Sequence, residues 1–136
     1  MKIGFLTDKN GYRAPIHPES IEKYSLDVHL EKDIFEYLKY SESIQNNVKT
    51  ISKVSDLDIV ACVENIEDKK IKDLKEGAIL IGIFDFEKIE DIKNLRPDIK
   101  ILSFFKLPRI SRAQNLDALS SQANLLGYAS VLRAAK

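Results

Sequence analysis

The sequence predicts an α/β fold in which an open parallel sheet is flanked by helices and followed by one long helix. Short apolar runs recur along the 136 residues, and charge-rich segments with helical character lie between them. The runs Ile59–Val63 and Ala78–Phe84 are apolar without alternation. Such runs are typical of parallel strands that helices cover on both faces.

The predicted elements alternate along the chain. A helix is expected to begin at Pro18, because proline at the first helical position loses no hydrogen bond. Another begins near Phe86 and ends before Pro97, which cannot continue it. Alternation of this kind is typical of Rossmann-like and flavodoxin-like sheets. The predicted strands are Lys2–Thr7, Asp27–Glu31, Asp58–Val63, Ala78–Phe84 and Lys100–Lys106.

The last predicted element is a helix from about Asn115 to Ala135. Ser111 and Gln114 match the capping-box pattern that precedes a helix. Gly127 costs on the order of 1 kcal/mol relative to alanine, which predicts a close approach by another element. One side of the helix is expected to pack, because its apolar residues recur at spacings of three and four. These are Leu116, Leu119, Ala123 and Leu126, whereas Asp117, Ser121, Asn124 and Tyr128 form a polar side.

This C-terminal stretch is also the strongest indication of a site. From Ala113 to Leu132 the only charged residue is Asp117, although charged residues make up 31% of the chain. The stretch nevertheless keeps Gln, Asn and Ser. A helix that retains hydrogen-bonding groups while losing charges predicts contact with a polar partner that water does not fully reach.

Composition excludes several classes of protein. At 15.5 kDa, residues 1–136 are expected to form one domain. Lys and Arg balance Asp and Glu at 21 each, which argues against nucleic-acid binding. The single cysteine, the lack of a signal peptide and the lack of a membrane-spanning run indicate a cytoplasmic protein. His17, His29 and Cys62 lack metal-ligand spacing, so no metal site is predicted. None of the five glycines forms a phosphate-binding turn.

Arg13 follows the first predicted strand, at the edge where open parallel sheets place ligands. Its guanidinium could clamp a substrate carboxylate there. The alternative is an ordinary surface arginine in a loop.

Three segments resemble one family. They are Arg13-x-x-x-x-Pro18-Glu19, the pair Asp58-Ile59-Val60 and Leu74-Lys75-Glu76-Gly77-Ala78-Ile79-Leu80-Ile81, and above all Pro108 to Tyr128. They resemble the N-terminal domain of the alanine dehydrogenase and proton-translocating nicotinamide nucleotide transhydrogenase family. The likeness is greatest to the transhydrogenase alpha subunit.

The resemblance implies that the chain supplies one wall of a cleft for NAD(H). Arg109, Gln114, Asp117 and Ser120 would bind and orient the nicotinamide end, with Gln114 and Asp117 closest to the hydride-transfer chemistry. A competing interpretation makes Gln114 and Asp117 only helix-start residues.

Two departures bear on activity. Cys62 and Asp85 stand at the positions that align with the substrate lysine and histidine of alanine dehydrogenases, so alanine dehydrogenase activity is not expected. The family's second domain, which carries the phosphate-binding loop, is expected to be absent after Lys136. The isolated chain should therefore be inactive and should expose apolar surface or cover it by self-association.

The function implied is hydride transfer between NAD(H) and NADP(H), shared with a missing NAD-binding domain or a separate subunit. The expected assembly is a homodimer that membrane-embedded transhydrogenase subunits could hold at the inner face of a membrane. One alternative is a non-catalytic, stand-alone interaction or dimerisation module. A more distant one, suggested by Arg13-Ala14-Pro15, is a saccharopine-forming type of amino-acid dehydrogenase.

Overall fold

The computed structural model describes residues 1–8, 13–23, 27–34, 48–108, 110–111, 113 and 117–135. Within them, six parallel strands form one sheet in the order β3-β2-β1-β4-β5-β6. The strands are β1 (Lys2–Phe5), β2 (Asp27–Leu30), β3 (Lys49–Thr50), β4 (Ile59–Ala61), β5 (Ile79–Gly82) and β6 (Lys100–Ser103). The helices with described bounds are α1 (Pro18–Lys23), α2 (Asp68–Lys72), α3 (Phe86–Leu95) and α4 (Ala118–Ala134). The predicted helix-flanked parallel sheet is confirmed.

The order of the strands creates a crossing point at the centre of the sheet. From β1 the chain proceeds outward to β2 and β3, then returns to place β4 on the other side of β1. Gly4 of β1 therefore pairs with His29 on one side and with Val60 on the other. This is the Rossmann order rather than the flavodoxin order.

All five predicted strands are present, and each is shorter than predicted. Their last apolar residues leave the sheet at its carboxyl edge, where the chain turns over the strand ends. After β6, for example, Phe104–Lys106 forms a 3₁₀ turn whose Phe105 N–H donates to the Ser103 side chain. The sixth strand, β3, was not predicted, because Lys49 and Thr50 are both exposed and form no apolar run.

Two groups of buried side chains hold the helices to the sheet. The larger group joins β4 and β5 to α2 and α3 and includes Val60, Ile71, Leu80 and Ile92. The smaller one joins β2 to α1 and consists of Ile21, Val28, Leu30 and Ile34. Helix α1 begins at Pro18 and α3 at Phe86, as predicted.

Helix α4 differs from its prediction in three respects. It begins at Ala118, and its N-cap is Asp117, not Ser111; the predicted partner Gln114 lies outside the described residues. From Ala123 to Ala135 every residue is exposed, so the predicted packed side is wrong for Ala123 and Leu126. A Cβ on Gly127 would meet no atom within 4 Å, so the predicted close approach there is also wrong.

The physical reason is the same for the last two. Within the described ranges of the chain, nothing covers this stretch of the helix. Apolar side chains are consequently left in solvent, as the sequence led us to expect for a domain without its second half. None of the helices among the described residues is both long enough and apolar enough to cross a membrane.

Candidate functional site

The crossing point between β1 and β4 places charged residues at the carboxyl edge of the sheet. Asp8 follows β1, and Glu64 follows β4. Arg13 lies between them and binds both. Open parallel sheets bind ligands in the crevice at this point, which makes the three residues part of the candidate site.

Arg13 uses its guanidinium as a double fork. Its Nε lies 3.0 Å from Oδ2 of Asp8, and one terminal nitrogen lies 2.5 Å from the same oxygen. Towards Glu64, the two terminal nitrogens lie 3.0 Å from Oε1 and 3.0 Å from Oε2. Arg13 thus connects the ends of two adjacent strands across the crossing point.

These contacts shift the titration of both exposed members of the group. The hydrogen bonds that Arg13 donates to Glu64 and Asp8 raise the pKa of Arg13 above its usual range. The hydrogen bond from Arg13 lowers the pKa of Glu64. Arg13 and Glu64 therefore both carry their charges at neutral pH.

A second ion pair lies beside this group. Glu31, which follows β2, accepts hydrogen bonds from the Thr7 N–H and hydroxyl, each at 2.9 Å, and from the Lys70 ammonium of α2. Burial alone would raise the pKa of Glu31, but the hydrogen bonds from Lys70 and Thr7 outweigh it and lower the pKa. The pair fastens β1, β2 and α2 to one another.

A cleft of about 420 Å³ opens on the β4 and β5 side of the crossing point. Glu64, Phe84 and Lys88 line it, together with the exposed ring of Phe105. Further lining residues are Asn65, Ile83, Asp85, Glu87 and Asp91. The cleft is polar at its mouth and predominantly acidic, so it suits a neutral or cationic group better than an anion.

Cys62 and Asp85 have structural surroundings. Cys62 is buried, and burial, aided by the charge of Asp8, raises the pKa of its thiol to about 12. Asp85 is the N-cap of α3, and its Oδ1 accepts a hydrogen bond of 2.8 Å from the Lys88 N–H. Neither residue supplies the reactive nitrogen of a lysine or a histidine.

The residues predicted near the nicotinamide are only partly described. Arg109 and Gln114 lie outside the described residues. Asp117 accepts the Ser120 N–H through Oδ1 at 3.1 Å and the Ser120 hydroxyl through Oδ2 at 2.6 Å. The structure therefore brings Asp117 and Ser120 together at the start of α4, and Asp117 is a helix-start residue, as the competing interpretation held.

Sequence analysis missed most of the charged groups at the strand ends: Asp8, Glu31, Glu64 and Lys70. A positional signal was present, because each of the three acids comes directly after, or within three residues of, a predicted or observed parallel strand. Their mutual contacts could not be predicted, since Arg13 and Glu64 are 51 residues apart.

The sequence is similar to transhydrogenase subunits over nearly its whole length. It is 35% identical to NAD(P) transhydrogenase subunit alpha of Haemophilus influenzae, over 93% of the chain and 27% of that protein. In Rickettsia prowazekii, the first portion of a divided NAD(P) transhydrogenase subunit alpha is 34% identical, over 98% of the chain and 39% of that protein. The chain thus spans well under half the length of these relatives. No family model matches it.

Solved structures give the same result. The transhydrogenase from Sinorhizobium meliloti superposes on 99% of the chain with a TM-score of 0.84 and 25% identity, and the chain covers 44% of that structure. An L-alanine dehydrogenase superposes on 82% of the chain with a TM-score of 0.63; at 14% identity this likeness concerns the fold alone, and the chain covers 35% of that structure.

Fold and comparisons together define the class of protein. The chain is a Rossmann-like α/β domain with a candidate site at the carboxyl edge of its sheet. It belongs to the alanine dehydrogenase and nicotinamide nucleotide transhydrogenase family, and its resemblance to the N-terminal domain of the transhydrogenase alpha subunit is confirmed.

Proposed function

We propose that the chain is the N-terminal domain of an NAD(P) transhydrogenase alpha-like subunit and forms one wall of its NAD(H) cleft. The observation that carries this proposal is the 35% identity to an alpha subunit over 93% of the chain. In this role the domain positions the nicotinamide for hydride transfer between NAD(H) and NADP(H). The hydride itself is supplied by the cofactor.

The described residues fit one end of this cofactor. The Asp117 carboxylate and the Ser120 hydroxyl lie side by side at the start of α4, and together they offer acceptors and a donor of the kind that a carboxamide requires. Arg109 and Gln114 are proposed to complete this group. The chain contains no glycine-rich turn for the phosphates, so a second domain or subunit is proposed to bind them.

The proposed partners follow from the same role. They are the NAD-binding domain or a separate subunit that carries it, and membrane-embedded transhydrogenase subunits. The proposed location is the cytoplasm, at the inner face of a membrane through those subunits. The isolated chain is proposed to be inactive.

The proposal predicts that Asp117→Asn and Gln114→Ala each slow hydride transfer by roughly 10- to 100-fold, because a misplaced reactant loses its near-attack geometry. The chain would replace the matching segment of the Haemophilus influenzae alpha subunit, and turnover would be measured in the assembled enzyme. Asparagine is also a good N-cap, so α4 should keep its start in the first variant.

A matched control is Ser130→Ala on the same helix, whose hydroxyl bonds only the Leu126 carbonyl among the contacts described. It should leave turnover unchanged. Unaltered turnover in both site variants, with an active parent chimaera, would contradict the assignment of the site.

We also propose that the chain forms a homodimer through α4. Leu125, Leu126 and Val131 are largely exposed on this helix, and burying them against a second copy removes apolar surface from water. The formal net charge of zero puts no overall repulsion between copies.

Sedimentation velocity tests the dimer. The parent chain should sediment as a dimer, Leu126→Glu as a monomer, and the polar-side control Asn124→Asp as the parent does. A monomeric parent chain would contradict the proposal.

A second candidate function is a non-catalytic interaction or dimerisation module. It is favoured by the structural surroundings of Cys62, which is buried, and of Asp85, which caps a helix. A chimaera that assembles normally but transfers no hydride would support this function over the first.

A further inference from the structure

The contact between Arg13 and Glu64 has the geometry of a ligand bound to an arginine. Two parallel hydrogen bonds of 3.0 Å join the terminal nitrogens to the two carboxylate oxygens. Arginine binds free carboxylates with this same bidentate fork. Here the carboxylate belongs to the chain itself.

The two acidic partners of Arg13 differ in accessibility. The Asp8 side chain is only 6% exposed, and it holds the guanidinium from the buried side. The Glu64 side chain is 40% exposed and lines the cleft of about 420 Å³. An incoming ligand could therefore compete with Glu64 from the cleft but not with Asp8.

Charge reinforces this occupation. The guanidinium carries one positive charge and binds two carboxylates, so the three groups together are negative by one. The cleft adds Asp85, Glu87 and Asp91 against the single cation Lys88 among its described lining residues. An anionic ligand meets both a filled fork and an unfavourable local potential.

We propose that Glu64 is a specificity-determining residue that occupies the Arg13 fork and thereby excludes small monocarboxylates from the cleft. The exclusion concerns ligand binding by this chain alone and does not rest on the proposed function. It keeps compounds such as short oxo acids out of a site at the crossing point of the sheet. Removal of the Glu64 carboxylate should open the fork while Asp8 keeps Arg13 in place.

The test is an NMR titration of the ¹⁵N-labelled chain with sodium pyruvate, a small monocarboxylate, at constant ionic strength. The parent chain should show no saturable shift of the Arg13 Nε–H signal. Glu64→Ala should show one, with an affinity at least about tenfold above any binding by the parent. The control Glu67→Ala removes an exposed glutamate whose side chain makes no capping hydrogen bond, and it should behave as the parent.

Further variants keep the test decisive. In the Glu64→Ala background, Arg13→Lys should abolish the saturable shift, because lysine lacks the fork. If Glu64→Ala fails to fold by circular dichroism, Glu64→Gln replaces it, since the neutral amide keeps the size of the side chain; a gain in pyruvate affinity is again expected. Equal binding by parent and variant, or no binding by either folded variant, would overturn the proposal.

Discussion

Leu80→Ala should lower the free energy of unfolding by about 3 kcal/mol, the largest effect that we expect from a single substitution. Leu80 is fully buried on β5 and belongs to the larger group of core side chains. Alanine removes three carbons and leaves a cavity between the sheet and its helices. Because the chain contains no tryptophan, urea denaturation followed by far-ultraviolet circular dichroism is the suitable measurement.

The matched control is Leu102→Ala on the neighbouring strand β6. The same atoms are removed, but Leu102 is 56% exposed, so the change should stay within about 0.5 kcal/mol. Equal losses in the two variants would mean that the described core does not hold the sheet together.

Glu31→Gln should destabilise the chain by about 1–2 kcal/mol at pH 7 and by very little near pH 3. In the folded chain burial opposes ionisation of Glu31, but the hydrogen bonds from Lys70 and Thr7 outweigh it and lower the pKa from its reference value of 4.5. The ionised carboxylate therefore stabilises the fold above about pH 4.5, and this contribution is lost as the pH falls through the lowered pKa. Below it, the protonated glutamic acid resembles glutamine.

Urea titrations at several pH values between 3 and 7 would measure this difference. Glu90→Gln, an exposed position on α3, serves as the control, and its effect should not depend on pH in this way. A loss of stability in Glu31→Gln that is the same at pH 3 and pH 7 would show that the ion pair with Lys70 does not stabilise the fold.

The layout of the sheet could be predicted because its strands are apolar on both faces. Runs such as Ile59–Val63 and Ala78–Phe84 mark buried parallel strands without any knowledge of their neighbours. The strand β3 could not be predicted, since two exposed residues carry no such pattern. Sequence also located the edge that holds the candidate site, because Arg13 directly follows the first strand.

The partners of Arg13 were beyond prediction for a different reason. The pairing with Glu64 joins residues from two separate strand ends, and periodicity contains no information on which side chains meet there. Helix α4 illustrates the opposite error. Its spacing of apolar residues correctly indicates a side that could pack, but a pattern cannot tell whether the covering surface belongs to the same chain.

The exposure of α4 has an energetic consequence for any partner that binds it. A helix of 17 residues that is interrupted by Gly127 and has little tertiary support is only marginally stable by itself. Some of the free energy gained on association must then offset the conformational entropy lost when the helix is fixed in one shape. The measured affinity will consequently understate the strength of the contacts, and mutations that raise helix propensity alone, without touching the partner, should tighten the complex.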